Sequence, residues 1–121
     1  MNKKTVLIID DDARNIFALS AVLRAKSYDC LSCQGAAEAL ELLQTDTPVD
    51  VVLIDMMMPD MDGYEAIPAI KKIQKREGMP VVAVTAQAMV GDREKCLESG
   101  ADDYISKPID VDKLMRVLQE V

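Results

Sequence analysis

Apolar runs of strand length that never alternate with polar residues are the feature that most constrains this fold. "TVLIID" (Thr5 to Asp10), "DVVLID" (Asp50 to Asp55) and "PVVAVT" (Pro80 to Thr85) read as strands whose central four residues are apolar throughout and rich in β-branched residues. A strand with one wet face would alternate, so these runs predict a sheet covered on both faces. "YDCLSC" (Tyr28 to Cys33) and "DDYIS" (Asp102 to Ser106) are weaker strand signals. Between them lie residues at helical spacing: Ile16, Leu19 and Leu23, then Ala36, Ala39, Leu40 and Leu43. Ile67, Ile70 and Ile73 mark a third helix from about Tyr64 to Lys75, with Pro68 in its first turn; an earlier start would put a kink there. "REKCLESG" closes a fourth helix with Gly100 at its C′ position. Val111, Leu114, Met115 and Leu118 mark the last. Strand and helix thus alternate five times, which predicts an α/β fold, (βα)5, as a doubly wound five-stranded parallel sheet in a single domain over 1–121.

Composition narrows the chemistry. The formal net charge of -7 argues against direct nucleic-acid binding, which needs a basic surface. No apolar run approaches the ~20 residues of a membrane span, so no membrane contact is expected and the chain reads as cytoplasmic. Histidine is absent, which removes Ser-His and Cys-His catalysis and any phosphohistidine formed on this chain. Cys30 and Cys33 match C-x-x-C, but three residues apart on a strand they point to opposite faces, so no redox or zinc pair is expected.

In a doubly wound sheet, ligands bind beyond the carboxyl ends of the strands. The first strand delivers Asp10, Asp11 and Asp12 there, the third Asp55, the fourth Thr85, and Lys107-Pro108 follows the fifth. Clustered carboxylates repel one another unless a cation sits among them, and oxygen-only ligands suit Mg²⁺. A carboxylate can also accept a phosphoryl group, a reaction served by a metal, a lysine and a hydroxyl. Asp55, alone on the central strand, is the leading acceptor, and the paired acids opposite are the leading metal holders. Each piece has a plainer reading: Asp12 as a helix cap, Thr85 as an ordinary strand residue, Lys107 as a solvated loop charge, Met56 to Met58 as core filling, and "MDG" (Met61 to Gly63) as a turn with glycine at positive φ. Coincidence at every strand end is less credible than at one.

Two other acidic motifs fit poorly. An EF-hand built on "DMDG" would need ligands at Met58 and Ala69. An aspartate-nucleophile phosphatase of the haloacid-dehalogenase type would use the Asp-x-Asp of "DDDAR", with Asp10 attacking, but it continues with Thr or Val where Arg14 stands.

The residues closely resemble the receiver domain of two-component response regulators over essentially the whole chain, from "VLIIDDD" through "VVLIDMMMPDMDGYEA" and "PVVAVTA" to "GADDYISKP". "DDDARNIFALSAVL" and "TAQAMVGDREKCLESGADDYISKP" are most similar to receivers of hybrid sensor histidine kinases. The resemblance implies strand order 2-1-3-4-5, a flavodoxin-like sheet. It implies that Asp55 is the phosphoacceptor and that Asp10, Asp11, Asp55 and the Met57 backbone carbonyl hold Mg²⁺, with Mn²⁺ as a substitute. Asp11 would touch the ion directly and Asp10 through water. Thr85 is similar to the switch hydroxyl, Tyr104 to the aromatic switch that turns inward, and Lys107 to the neutralising lysine, with Lys107-Pro108 a cis peptide. Ala86 would leave room for the incoming group, and Met57 and Gln87 would tune how fast the aspartyl phosphate hydrolyses. The implied function is Mg²⁺-dependent transfer from the histidine of a kinase or phosphotransfer domain, or from a small phosphodonor. The domain would catalyse its own phosphorylation and dephosphorylation. The fourth helix, fifth strand and fifth helix would form the output face, which is also available for dimerisation. A pseudo-receiver that only docks is the third alternative; the complete set of acids, Thr85 and Lys107 speaks against it.

Overall fold

The computed structural model describes residues 4–86 and 91–121. Among these the elements run β1 (Thr5–Ile9), α1 (Ala13–Ala25), β2 (Asp29–Cys33), α2 (Ala36–Leu43), β3 (Val51–Asp55) and α3 (Gly63–Lys71). A 3₁₀ turn (Gln74–Arg76) leads into β4 (Val81–Thr85), α4 (Asp92–Glu98), β5 (Asp103–Ser106) and α5 (Val111–Glu120). All four strand pairings are parallel, in the order β2-β1-β3-β4-β5. The doubly wound sheet read from the sequence is the observed one, with strand ends within a residue of expectation.

The lack of alternation has its expected cause. β3 and β4 are buried at every position. Leu7, Ile9, Val52, Ile54, Val81 and Ala83 face one core with the buried sides of α2, α3 and Cys96 of α4. Val6, Ile8, Val51, Leu53, Val82 and Val84 face the other, with Leu23 of α1 and Leu114 and Leu118 of α5. Cys33 belongs to the first core and Cys30 packs against the second, so the two thiols do lie on opposite faces.

The third helix differs from expectation. It begins at Gly63, capped by Asp62 Oδ1, which accepts from the Glu65 N–H at 3.0 Å. Pro68 is therefore the sixth helical residue, inside the helix and past its first turn, and Tyr64 loses the amide donor its carbonyl would otherwise receive. The helix stops at Lys71, and Ile73 is buried from the segment that follows. Gly63 is not a positive-φ turn residue: the positive-φ glycines among the described residues are Gly78, Gly91 and Gly100. Glycine is required at 63 for another reason, because a Cβ there would strike the Met56 sulfur and lie 2.9 Å from its Cα. Gly100, at φ 112, closes α4 as the sequence indicated. No helix of the described residues is long and apolar enough to cross a membrane.

Candidate functional site

Register brings the site together. Ile9 pairs with Ile54, so the next residues, Asp10 and Asp55, stand level at the carboxyl edge of adjacent central strands. Asp55 in turn pairs with Val84, and Thr85 with Ser106, which places Thr85 and Lys107 one step beyond. The pleat then sorts the side chains. Asp10 and Asp55 continue the rows of Val6 and Ile8 and of Val51 and Leu53, on the α1/α5 face. Thr85 continues the row of Val81 and Ala83, on the face covered by α3 and α4.

Asp10 and Asp55 are 3% and 5% exposed, whereas Asp11 faces solvent. Carboxylate oxygens of Asp10, Asp11 and Asp55 all lie within 4.8 Å of one another. Backbone amides partly support the buried pair: Asp12 N–H donates to Asp10 Oδ1 at 2.9 Å, and Met57 N–H to Asp55 Oδ1 at 3.0 Å. Lys107 Nζ stands 3.4 Å from Asp55 Oδ2. That is an ion-pair distance, longer than a tight charge-assisted hydrogen bond. Burial pushes the Asp10 carboxyl above its ordinary range, and the Asp55 charge adds to this. The Asp12 amide, Lys107 and the Asn15 side chain pull the other way without cancelling it. A divalent cation bound by this oxygen-only set would relieve the repulsion that Lys107 leaves, so the donors fit a hard ion.

Other candidate residues fall as follows. Thr85 is 2% exposed and donates from Oγ1 to Asp92 Oδ2 at 3.0 Å, a contact with the first residue of α4. Ala86 is exposed. Tyr104 is half-buried and borders a groove of about 230 Å³ with Lys113 and Arg116 of α5. The Lys107-Pro108 peptide is cis. Met56 and Met58 fill core, but Met57 does not: it is 58% exposed beside the acidic cluster. Gln87 lies outside the described residues. Asp12 is a helix cap, accepting from the Arg14 N–H at 2.9 Å.

Sequence reasoning missed two residues. Asn15 lines a cleft of about 290 Å³ with Asp10 and Lys107, between α1 and α5. Its signal was available, since it lies within the first turn of the helix after the acidic run. Asp92 carried no legible signal, because its tie to Thr85 depends on where α4 begins.

A parallel doubly wound sheet with an acidic cluster and a lysine at its carboxyl edge defines a class of α/β proteins built to manage concentrated negative charge. The comparisons make the class specific: the chain belongs to the response regulator receiver domain family, whose model matches residues 6–119. It is 37% identical over 94% of its length to the signal transduction histidine-protein kinase BarA of Escherichia coli K12, and spans only 12% of that kinase. It is 33% identical to the polar-differentiation response regulator DivK of Brucella ovis, covering 96% of this chain and 94% of that one. Among solved structures, the receiver domain of sensor histidine kinase PA1611 from Pseudomonas aeruginosa PAO1 aligns with a TM-score of 0.88 at 31% identity. That alignment covers 98% of this chain and 97% of that one, which has a magnesium ion coordinated in its active site cleft. The structure of a response regulator from Chloroflexus aurantiacus J-10-fl aligns with a TM-score of 0.91 at 28% identity, over 98% and 97% of the two chains.

Proposed function

We propose that Asp55 is the phosphoacceptor of this receiver domain and that Asp10, Asp11 and Asp55, with the Met57 carbonyl, hold the Mg²⁺ that transfer requires. The observation that carries this reading is the convergence of three carboxylates within 4.8 Å, with Lys107 Nζ at 3.4 Å from Asp55. When bound, the ion supplies charge neutralisation at the transferring group. An Asp55 carboxylate oxygen attacks phosphorus of a phosphohistidine on a kinase or phosphotransfer partner. The P–O bond forms, the N–P bond breaks, and the imidazole nitrogen keeps the electron pair and takes up a proton. Acetyl phosphate serves equally, leaving acetate. Lys107 meets the new charge, and Ala86, with only a methyl group, leaves the approach open.

The product is a dianionic group that Lys107 and Thr85 can engage, which biases a two-state equilibrium. Thr85 and Tyr104 are the switch residues, and α4, β5 and α5 form the output face, which carries the groove bordered by Tyr104, Lys113 and Arg116. Met57 presents an exposed thioether beside the acceptor, a weak acceptor and no donor for an attacking water. Met57 and Gln87 are the rate-tuning positions, and the lack of a polar handle at Met57 sets a slow loss of the phosphoryl group; loss within seconds in Mg²⁺ would count against this.

Intact-mass analysis after acetyl phosphate treatment tests the central reading. Wild type gains one phosphoryl group in Mg²⁺ and none in EDTA, and Asp55→Asn gains none. An adduct of equal yield on Asp55→Asn would sink the assignment.

A further inference from the structure

Resting on that reading, we propose that Asp92 is an off-state latch: its carboxylate holds the Thr85 hydroxyl against α4 and so competes directly with a phosphoryl group on Asp55 for the same donor.

Three observations carry this. Thr85 Oγ1 donates to Asp92 Oδ2 at 3.0 Å. A hydroxyl has one proton to give, and a carboxylate can only accept it, so this contact occupies the donor of Thr85. The pleat of β4 places Thr85 on the face that α4 covers, opposite to the row of Asp10 and Asp55. To donate to an oxygen on Asp55, the hydroxyl must turn across the carboxyl lip of the sheet and leave Asp92. The third observation is what Asp92 leaves behind. It is the first residue of α4, half-buried, and lies near enough to Tyr64 and Cys96 for its charge to help push both of their pKa values upward. Residue 91, which precedes it, has φ 92 and offers no side-chain cap. Losing the Thr85 donor leaves a partly desolvated carboxylate beside these groups, so modification at Asp55 is felt at the start of α4 through one exchanged hydrogen bond.

Beryllofluoride, which adds to a receptive aspartate as a phosphoryl mimic, reads the balance without chemistry. In Mg²⁺, titration monitored by amide NMR is expected to show Asp92→Ala binding beryllofluoride roughly five- to tenfold more tightly than wild type, the scale of one ordinary net hydrogen bond. Asp92→Asn, which keeps an oxygen acceptor without the charge and guards against misfolding of the alanine variant, should fall between. In a Thr85→Ala background the Asp92→Ala gain should vanish, because the latched hydroxyl is gone. Unchanged or weaker binding by both Asp92 variants overturns the latch. So does an equal gain with and without the Thr85 hydroxyl, which would assign Asp92 a purely structural effect on α4. No binding to wild type, or binding retained in Asp55→Asn, overturns the phosphoacceptor reading itself and the latch with it.

Discussion

At the scale of single residues, the site is built from groups whose folded environment opposes their own comfort. Asp10 is the clearest case. Burial and the neighbouring Asp55 raise its pKa above the ordinary 3.8, so the folded state binds its proton more tightly than the unfolded chain does. Stability therefore falls as pH climbs from the unfolded pKa through the folded one, and the full penalty stands at neutral pH. Asp10→Asn should raise Tm at pH 7 in EDTA, and the gain should shrink as pH is lowered toward 4. A variant that melts lower than wild type at pH 7 would contradict this account. Gly63 is the opposite kind of constraint, a residue defined by what it lacks. Gly63→Ala drives a methyl into the Met56 backbone and sulfur, which should cost on the order of 1–3 kcal/mol, read as a drop in urea midpoint. Cys33, pushed up to about 11 by burial and by Glu38, should resist alkylation at pH 8 in the folded protein and react on denaturation.

At the scale of elements, short helices are held by ties that run across the fold. α2 is eight residues long, too short to persist by itself. Its C-terminal turn and the loop beyond are clamped by Arg76, whose Nε donates to Leu43 O at 3.0 Å and whose Nη2 donates to Thr45 O at 2.9 Å and Thr47 O at 2.7 Å. Arg76→Ala should destabilise by about 2 kcal/mol and raise amide exchange between residues 44 and 50. Arg76→Lys should recover only part, because an ammonium cannot span the three carbonyls as the planar fork does. Lys71 ties α3 to the sheet in a similar way, reaching Asp102 Oδ2 at 2.6 Å and Met79 O at 3.2 Å, while the same Asp102 oxygen accepts from the Val81 N–H at 2.8 Å. Neither tie was legible in the sequence. Nothing local marks Arg76 or Lys71 for these ties, because their partners are up to 33 residues away.

At the scale of the whole molecule, charge is the organising quantity. A chain with a net charge of -7 concentrates three carboxylates at one edge of its sheet and, among the described residues, meets them with Lys107. Mg²⁺ should therefore bind the folded state far better than the unfolded one, and at a hundred times its Kd should stabilise by about 2.7 kcal/mol. Thermal melts with and without Mg²⁺ check this, and the shift should be lost in an Asp10→Asn, Asp11→Asn double variant. A shift of equal size in that variant would place the ion elsewhere.

The sequence by itself determined the architecture and the set of acids. Apolar runs without alternation require a sheet covered on both faces, helical spacing between them supplies the covers, and right-handed connections leave few orders in which to wind it. The edge where the acids collect follows from the same logic, because parallel strands all end on one side. The tertiary structure alone decided the rest. It set the role of Gly63, since the close approach of Gly63 to Met56 joins residues that local patterns do not connect. It also exposed Met57 while burying its two neighbours, and joined Thr85 to Asp92 across the start of a helix. Periodicity reports which face a residue occupies; which partner it meets there depends on how the elements pack, and that is a property of the assembled fold.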